Sequence, residues 1–392
     1  MTVKETIKKF IPRFLLSFYH LSLVWLGAFL YGFPGYSKDI KIIGVTGTSG
    51  KSTTTNLICN ILEEAGFNVA SFSTVRFKIG EKEWKNELKM TMPGRMKVQK
   101  FLRQAINEKC QFAVLEVSSE GIRQFRHKFI NFDAVVFTNL SPEHIESHGG
   151  FEKYRNEKLK LFKAVKNIHV INIDDKNADY FLNIPAKTTI KFSIRDNQEY
   201  KLKLNLLGDF NIMNALAAMS VARAYGIKFE ICKKALEKAS GIPGRMEKIS
   251  ENPDIIVDYA HTPEQLEAVY KSLNSKPLIC VLGSCGGGRD KWKRSVLGEI
   301  ADKYCKEIII TNEDPYDEKP EEIINQVAEK VGEKVQKILD RKEAIKKAIE
   351  LANPNDVVVI TGKGSEPWMC VGNGKKIPWD DREIAKEIIK NK

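Results

Sequence analysis

The stretch Ile43–Thr55 reads I-G-V-T-G-T-S-G-K-S-T-T-T, an apolar strand and a glycine-rich turn followed by a lysine and hydroxyl residues that open a helix. In such a turn, backbone N–H groups and the helix N-terminus point at one spot, which favours a bound phosphate. Lys51 adds a positive charge there, and the hydroxyl of Ser52 or Thr53 can bind Mg²⁺. The upstream glycines depart from the strict G-x-x-x-x-G-K-[ST] spacing. We predict a nucleotide-phosphate loop, with a glycine turn of an ordinary α/β unit as the alternative.

Length and charge restrict the class of protein. The chain has 392 residues, of which 43% are hydrophobic, which is enough for two or three domains with full cores. The formal net charge is +12, but Lys and Glu are mixed in most helical stretches, as is typical of solvated helix faces rather than of a nucleic-acid stripe. We therefore expect no nucleic-acid partner. The charge favours anionic partners such as nucleotides, phosphosugars or an acidic membrane surface.

The seven cysteines form no C-x-x-C pair. Neither a zinc ribbon nor a disulfide framework is therefore predicted, and a reducing cytoplasm is the favoured compartment.

An uncharged apolar stretch runs from Phe14 to Phe33, after Lys8, Lys9 and Arg13. Its length is sufficient to span a bilayer. The basic residues precede it, however, so a simple span would leave the predicted nucleotide site on the outer side of the membrane, where there is no ATP. We expect residues 1–38 to form a helical segment that lies on the membrane surface or packs on the catalytic core, with a span as the less favoured alternative. The predicted location is the cytoplasm, with peripheral attachment to the inner face of the membrane as an option.

Beyond residue 40, short apolar runs alternate with helical patterns, which predicts parallel sheets with crossover helices. Strand-like segments begin at residues 42, 112, 133, 168, 277, 307 and 356. Residues 241–245, G-I-P-G-R, interrupt a helix-rich region and mark the predicted domain boundary. The predicted fold class is α/β: a P-loop ATPase-like central domain with a parallel sheet over residues 39–242, and a smaller Rossmann-like α/β domain over residues 243–392.

Three polar clusters follow predicted strands, where ligands bind in such folds. Glu116 ends one strand and is suited to hold the Mg²⁺ of the phosphate loop. Residues 138–149 carry two histidines and two glutamates, which suit a divalent ion shared with phosphate or, alternatively, a capped turn with a solvated histidine. The glycine turn 283–288 ends in Arg289, whose guanidinium suits a carboxylate, and T-N-E-D-P-Y-D and G-K-G-S-E follow later.

Together these segments resemble the Mur ligases, and among them the ligases that add the third residue of the peptidoglycan stem peptide. The motifs occur in order over residues 41–390: TGTSGKSTT, EVSSEG, FTNLSPEHIESHG, GDFNIMNALAA, GRME, VDYAHTPEQLE, GSCGGGRDKWKR, TNEDPYDEKP, TGKGSE and DDRE. The resemblance implies ATP-dependent amide bond formation with Mg²⁺, in which a carboxylate of a muramoyl-peptide precursor becomes an acyl phosphate and an incoming amino acid displaces phosphate.

The resemblance also implies roles for individual residues. Lys158 matches the family lysine that reacts with CO₂ to give a carbamate, and an unmodified lysine is the alternative. The implied catalytic residues are Lys51, Glu116, His144 and Lys158, and the implied Mg²⁺ ligands are Ser52, Glu116 and His144. The implied ATP-binding residues are Gly47, Thr48, Ser49, Gly50, Lys51, Ser52, Thr53, Asn214, Arg245 and Asp258. The implied acceptor-binding residues are Ser73, Thr74, Thr91 and Pro93. For the amino acid, Arg289 would hold the α-carboxylate and Glu366 the α-ammonium group, with Asp314, Tyr316 and Gly362 beside them.

Two departures from the family pattern bear on the substrates. Ligases that add diaminopimelate carry D-N-P-R, whose arginine binds the distal carboxylate, whereas this chain has E-D-P-Y with Tyr316 at that position. With acids close by, simple Coulomb attraction favours a cationic side chain such as that of lysine. The second departure is that we expect the family's N-terminal uridine-binding domain to be absent, with only the apolar segment that ends near Gly35 in its place. The enzyme would then read its acceptor without the nucleotide, or accept a lipid-linked form at the membrane.

Other assignments remain open at this stage. Folylpolyglutamate synthases share the architecture, and so does the amidating subunit that works with a glutaminase on lipid-linked precursors, although its four-cysteine zinc site has no counterpart here. From a different class, the chain would be an inactive nucleotide-binding scaffold on the membrane. A transport or motor ATPase would need no amino-acid clamp.

Overall fold

The computed structural model describes residues 13–88 and 90–391. These residues separate into two compact units. The N-terminal unit comprises residues 13–142 and 150–240, and the C-terminal unit comprises residues 143–149 and 241–391. The break at Gly241 lies beside the predicted boundary, whereas the assignment of residues 143–149 to the C-terminal unit was not predicted. The first twelve residues of the predicted N-terminal segment lie outside the described residues.

The N-terminal unit is built on an eight-stranded sheet with the order β4-β3-β2-β5-β1-β6-β7-β8. The six neighbouring strands β2, β5, β1, β6, β7 and β8 run parallel. The strands β3 and β4 are added antiparallel beside β2. The strands are β1 Lys41–Thr46, β2 Val69–Phe72, β3 Arg76–Ile79, β4 Lys82–Lys85, β5 Phe112–Glu116, β6 Phe132–Phe137, β7 Ile168–Asn172 and β8 Thr188–Phe192.

Helices cover both faces of this sheet, because the central strands bury side chains on both faces. Ile42 and Ile43 of β1 point to opposite faces and belong to two separate apolar clusters. The helices of the N-terminal unit are α1 Arg13–Leu30, α2 Lys51–Glu64, α3 Arg95–Asn107, α4 Ser119–Arg123, α6 Phe151–Ala164, α7 Ala178–Leu182, α8 Asn197–Tyr200, α9 Phe210–Ala224 and α10 Phe229–Lys238. The short α5, Ile145–His148, belongs to the C-terminal unit.

Helix α1 contains most of the uncharged N-terminal stretch and packs on α3. Val24 and Ala28 are fully buried in this contact. In residues 13–88 and 90–391, no helix is both long and apolar enough to cross a membrane.

The C-terminal unit has a six-stranded sheet with the order β13-β12-β11-β14-β10-β9, in which only β9 is antiparallel. Its strands are β9 Glu247–Glu251, β10 Asp254–Val257, β11 Leu278–Leu282, β12 Cys305–Thr311, β13 Val335–Ile338 and β14 Val357–Ile360, with a separate ribbon of β15 Trp368–Cys370 and β16 Lys376–Pro378. Its other helices are α11 Pro263–Leu273, α12 Lys293–Tyr304, α13 Pro320–Ala328, α14 Arg341–Leu351 and α15 Asp381–Lys390. The α/β fold class with two parallel-rich sheets is confirmed.

One cysteine pair was not expected, because the cysteine spacing predicted no disulfide framework. Cys280 on β11 and Cys305 at the start of β12 form a disulfide, with their Cα atoms 6.1 Å apart. The strands are neighbours in the sheet, a contact that the spacing of cysteines along the sequence did not reveal. The other five cysteines are free thiols.

Candidate active site

The predicted phosphate loop lies between β1 and α2. Gly50 has φ of 77° and packs against the side-chain amide of Asn214, so a Cβ atom would be unfavourable there on both counts. Lys51 begins α2, and its Nζ donates to the carbonyl oxygen of Thr48 at 2.8 Å. Asn139 braces the loop from the end of β6, because its Oδ1 accepts from the backbone N–H of Ser49 at 2.9 Å. The predicted ATP-binding residues Gly47–Thr53 and Asn214 therefore form one local structure.

Glu116, at the end of β5, connects the phosphate loop to the predicted acceptor residues. Its Oε2 accepts from Ser52 Oγ at 2.7 Å and from the backbone N–H of Thr74 at 2.8 Å. Its Oε1 accepts from Thr74 Oγ1 at 3.1 Å, and Thr74 Oγ1 lies 2.9 Å from Thr91 Oγ1. Glu116 is almost completely buried. A continuous chain of polar contacts thus joins Ser52, Glu116, Thr74 and Thr91.

Two predicted acceptor residues are placed differently. The hydroxyl of Ser73 accepts from the backbone N–H groups of Val75 and Arg76, both at 3.2 Å, and so stabilises the turn between β2 and β3. Pro93 is buried in the loop before α3. Neither residue belongs to the chain of polar contacts around Glu116, although Ser73 adjoins Thr74 and Pro93 is close to Thr91 in the sequence.

Lys158 on α6 is buried beside the phosphate loop. Its Nζ donates to the carbonyl oxygen of Gly47 at 2.7 Å and lies 4.7 Å from the ring centroid of Tyr154. The hydroxyl of Tyr154 lies 3.0 Å from Thr48 Oγ1. The phosphate loop is therefore supported from α6 as well as from β6, and the predicted catalytic lysine forms part of that support.

His144 belongs to the C-terminal unit, at the start of α5. The adjacent Glu143 is buried, and its Oε1 lies 2.9 Å from His261 Nε2. Burial alone would raise the pKa of Glu143, but His144, His261 and Lys293 outweigh that effect and hold it well below its usual range. Glu143 is therefore a carboxylate at neutral pH.

Asp290 fixes α5 within the same unit. Its two carboxylate oxygens accept from the backbone N–H groups of Ile145 at 3.1 Å and Glu146 at 2.9 Å. Asp290 directly follows Arg289, the predicted clamp for the amino-acid carboxylate. The loop with the predicted amine clamp thus holds the segment with the predicted metal ligand His144.

Arg245 and Asp258, predicted to bind nucleotide, lie together in the C-terminal unit. Asp258 accepts from the backbone N–H groups of Met246 at 2.7 Å and Ala260 at 2.6 Å. Burial raises the pKa of Asp258, although Arg245 and these N–H groups oppose the rise. The guanidinium of Arg245 stacks 4.0 Å from the ring centroid of Tyr259.

Lys363 joins most of the predicted amino-acid-binding residues, although sequence analysis gave it no role. It is completely buried, and its Nζ donates to Asp314 Oδ1 at 2.9 Å and to Glu366 Oε2 at 2.6 Å. Glu366 Oε1 also accepts from the hydroxyl of Tyr259 at 2.9 Å. Asp314 additionally accepts from the backbone N–H of Cys370 at 2.7 Å. Both predicted carboxylates are therefore already paired with one cation.

Glu313 stands apart from these paired acids. Only 2% of its surface is exposed, and its Oε1 accepts from the thiol of Cys285 at 2.9 Å. Its Oε2 is buried and has no hydrogen-bond partner among the described residues. Gly362 packs against this oxygen with φ of 106°, which leaves no room for a side chain at position 362. A buried carboxylate oxygen without a partner is costly unless a ligand satisfies it.

Arg289 and Tyr316 both lie near Cys285, the thiol partner of Glu313. The glycine turn before Arg289 packs on Tyr316, since Gly287 lies directly against the phenol ring. The side chain of Arg289 is exposed and forms no ion pair with any residue in the described ranges. Arg294, in contrast, is buried and pairs with Glu318 Oε2 at 3.0 Å. Arg289 is thus the basic side chain of this loop that is available to a ligand carboxylate.

The residues present fit Mg²⁺ held jointly with phosphate. Across residues 13–88 and 90–391, no three His, Cys, Asp or Glu side chains are grouped as a metal site. Mg²⁺ is commonly bound through one or two carboxylates plus substrate phosphates rather than by a full protein cage. Ser52 and Glu116, already in contact at the phosphate loop, suit that mode of binding.

Sequence analysis missed Lys363, Cys285, His261 and Asp290. The lysine stands in T-G-K-G after a strand, which repeats the strand, glycine and lysine pattern of the phosphate loop and is a usable signal. Nothing in the sequence pairs Glu143 with His261 or Asp290 with α5, because these partners are more than a hundred residues apart in the chain.

Comparison with known proteins identifies the family. Residues 45–200 match the Mur ligase middle domain, and residues 244–364 match the Mur ligase glutamate ligase domain. A UDP-N-acetylmuramoyl-L-alanyl-D-glutamate--2,6-diaminopimelate ligase of Syntrophomonas wolfei is 38% identical, over 95% of this chain and 82% of that protein. A UDP-N-acetylmuramyl-tripeptide synthetase of Roseiflexus sp. is 35% identical, over 94% of this chain and 82% of that protein.

A solved structure of a UDP-N-acetylmuramoyl-L-alanyl-D-glutamate--2,6-diaminopimelate ligase is 31% identical, with a TM-score of 0.59 over 90% of this chain and 78% of that one. The chain therefore belongs to the Mur ligase family, is similar to its tripeptide synthetases, and is an ATP-dependent ligase that joins an acid to an amino acid.

Proposed function

We propose that this enzyme adds a diamino acid, L-lysine in preference to diaminopimelate, to a muramoyl dipeptide through an acyl phosphate. The names of its relatives support a third-residue ligase and a UDP-linked acceptor. They also name diaminopimelate as the amine of several relatives, so the choice of lysine rests on the residues of this chain.

The phosphate loop and Glu116 account for the first half-reaction. Lys51 and the N-terminus of α2 provide positive potential for the β- and γ-phosphates of ATP. Ser52 and Glu116 would hold Mg²⁺, which supplies charge neutralisation for phosphoryl transfer when bound. Thr74 and Thr91 would orient the acceptor carboxylate, because they lie within hydrogen-bond distance of the same Glu116 network.

The residues around Arg289, Glu366 and Glu313 account for binding of the second substrate, the amino acid. Arg289 would bind the α-carboxylate of the incoming amino acid, and Glu366 would contribute to holding its α-ammonium group. The choice of lysine rests on one further observation. Glu313 Oε2 is buried and has no hydrogen-bond partner among the described residues. The side-chain ammonium group of lysine would satisfy this buried oxygen. Diaminopimelate carries the same ammonium group, but the carboxylate on the same carbon would be repelled by Glu313.

The basic side chains considered for this site are already engaged, Arg289 with the α-carboxylate of the incoming amino acid. Tyr316 occupies the position of the arginine in D-N-P-R. Lys363, Arg294 and Arg341 each pair with a carboxylate already. A distal carboxylate would therefore enter a site with an anion and without a partner.

Two finer parts of the proposal concern Lys158 and the acceptor. A carbamate on Lys158 would keep an N–H for the carbonyl oxygen of Gly47 and add an anion beside the phosphates, which suits an Mg²⁺ ligand. A UDP-linked acceptor is the first choice because the relatives are named for it, and a lipid-linked acceptor is the alternative.

The test is phosphate release from ATP in a matrix of acceptors and amines, with product mass read in parallel. UDP-linked and lipid-linked muramoyl dipeptides are each combined with L-lysine, diaminopimelate, ammonia and L-glutamate. Release that requires one acceptor and lysine, with the matching mass gain, supports the proposal. Turnover with diaminopimelate above that with lysine would overturn the choice of amine, and release that ignores every amine would overturn the ligase assignment.

A further inference from the structure

Helix α1 exposes a continuous apolar half. Six of its large apolar side chains are at least 39% exposed, and Phe18 reaches 73%. With 3.6 residues per turn, these six lie on one half of the helix, and Trp25 and Phe29 stack there with ring centroids 5.5 Å apart. They are Leu15, Phe18, Trp25, Leu26, Phe29 and Leu30, and together they are called the α1 face.

The opposite half of α1 fixes the helix on the N-terminal unit. Val24 and Ala28 are fully buried, and Gly27 lies directly against Met96 of α3. Arg103 of α3 donates to the carbonyl oxygens of Tyr31 at 2.8 Å and Gly32 at 2.9 Å, beyond the end of α1. The α1 face is therefore part of a helix that is packed in a fixed position on the N-terminal unit.

Basic residues surround the α1 face. The segments 13–38, 90–107 and 121–131 contain no Asp or Glu. They are adjacent, since α1 packs on α3 and the N–H of Asn131 donates to the carbonyl oxygen of Gly35 at 2.8 Å. Lys97, Lys100 and Lys128 are exposed on this part of the surface. The acids that directly adjoin these segments are Asp39, Glu108 and Glu120. Glu108 pairs with Lys82 at 3.6 Å, and Glu120 pairs with Arg123 at 2.6 Å.

We propose that the α1 face, flanked by these lysines, docks on an anionic membrane surface. Aromatic and leucine side chains beside lysines are the combination by which helices lie in the interface of acidic bilayers. A second copy of the chain is the poorer occupant, because a symmetric contact would bring two basic surfaces together. The loop with Thr91 and Pro93 leads directly into α3, on which α1 packs, so docking would hold the predicted acceptor loop near the bilayer.

Vesicle flotation of the full chain tests this inference and needs no substrate. The two vesicle types are phosphatidylcholine alone and phosphatidylcholine with about one third phosphatidylglycerol. We expect binding to the anionic vesicles, weaker binding to the neutral ones, and loss of binding as salt is raised. A chain that floats with neither type, or equally with both at every salt concentration, overturns the proposal.

Variants locate the surface. Phe18→Ser with Phe29→Ser, and separately Lys97→Glu with Lys100→Glu, should each weaken binding to anionic vesicles about tenfold or more. The matched controls are Ile194→Ser with Leu207→Ser, and Lys187→Glu with Lys191→Glu, which change exposed residues elsewhere on the same unit and should leave binding unchanged. Circular dichroism confirms that each variant is folded. If the controls lose binding equally, or if light scattering shows a dimer that the Phe18 and Phe29 pair alone abolishes, the α1 face is not the membrane surface.

The inference is independent of the proposed reaction. Ligase activity on a UDP-linked acceptor in solution would leave it intact, and failure of the vesicle test would leave the ligase assignment intact.

Discussion

Thr74 donates both its backbone N–H and its hydroxyl to the carboxylate of Glu116, at 2.8 Å and 3.1 Å. Glu116 also accepts from Ser52 of the phosphate loop, so one carboxylate connects a predicted acceptor residue with a predicted Mg²⁺ ligand. In a phosphoryl transfer the attacking oxygen must lie close to the γ-phosphate and in line with its leaving group. The Thr74–Glu116 pair would therefore hold the acceptor carboxylate close to the phosphate loop.

Replacing Thr74 with valine should impair acceptor binding more than ATP binding. The variant keeps the backbone N–H bond to Glu116 but removes the hydroxyl that joins Glu116 and Thr91. We expect the KM for the acceptor to rise about ten- to a hundredfold, as for loss of a hydrogen bond to a charged group, with little change in ATP affinity. Thr189→Val, at an exposed position on β8, is the matched control. An unchanged acceptor KM would show that Thr74 only supports Glu116.

Lys158→Ala should lower kcat about a hundred- to a thousandfold, which is typical when one preorganised group that stabilises charge in a transition state is removed. If the working form of Lys158 is a carbamate, short carboxylic acids such as acetate should restore part of the activity, because they supply the missing anion. Methylammonium should restore activity instead if the working form is the amine. Lys160→Ala, an exposed lysine on the same helix, is the control. Carbon NMR of the intact folded protein in isotopically labelled bicarbonate reads the modification directly, because the carbamate is lost on digestion in acid.

Glu313→Gln should reduce kcat/KM for lysine about ten- to a hundredfold, because the side-chain ammonium group loses its buried anionic partner. Tyr316→Arg should shift the preference toward diaminopimelate, since it introduces a cation for the distal carboxylate. Competition between the two amines, read by product mass, measures both effects. Glu321→Gln, an exposed acid on α13, is the matched control. A Glu313→Gln variant with unaltered lysine kinetics would remove Glu313 from the amine site.

Local spacing determines how much of this site was accessible from sequence. Lys51, Gly50 and Ser52 act within one strand-turn-helix unit, so their arrangement follows from adjacent residues. The central strands were predictable for a similar reason, since they are continuous apolar runs. The antiparallel strands β3 and β4 were missed because β4 is mostly charged and exposed along its whole length, and β3 is short and alternates basic with apolar residues. The α/β class required only the alternation of strands and helices.

Long-range partners were not accessible in the same way. Lys363 draws together Asp314 and Glu366, and its pairing changes which acid is available to an amine. The sequence presented several acids near Tyr316 as equivalent. Only their contacts distinguish Glu313, whose Oε2 has no hydrogen-bond partner among the described residues, from Asp314, Asp317 and Glu318, which pair with basic side chains or backbone N–H groups.

His127 should make stability sensitive to mild acid. It is 4% exposed, and burial, followed by Lys128 and Lys160, lowers its pKa to about 4. The folded state therefore favours the neutral ring. The contribution of His127 to the free energy of unfolding is fully present above the unfolded pKa of about 6.5 and is lost as the pH falls towards about 4. This shift corresponds to about 3 kcal/mol of unfolding free energy. Urea unfolding across this pH range should show a smaller pH dependence for His127→Gln than for the wild type. Equal slopes for His127→Gln and the wild type would contradict the assignment.

Asp290→Ala should release the segment that carries His144. Its carboxylate accepts from the N–H groups of Ile145 and Glu146, and loss of a capping acceptor costs about 1 kcal/mol. Hydrogen exchange at residues 145–148 should accelerate, and activity should require more Mg²⁺ if His144 contributes to metal binding. Asp340→Ala is the matched control, because Asp340 caps α14 with the same kind of bond to Lys342 and Glu343. That control should accelerate exchange only at the start of α14. Faster exchange at residues 145–148 with an unchanged Mg²⁺ requirement would separate the structural role of Asp290 from any role of His144 in binding the metal.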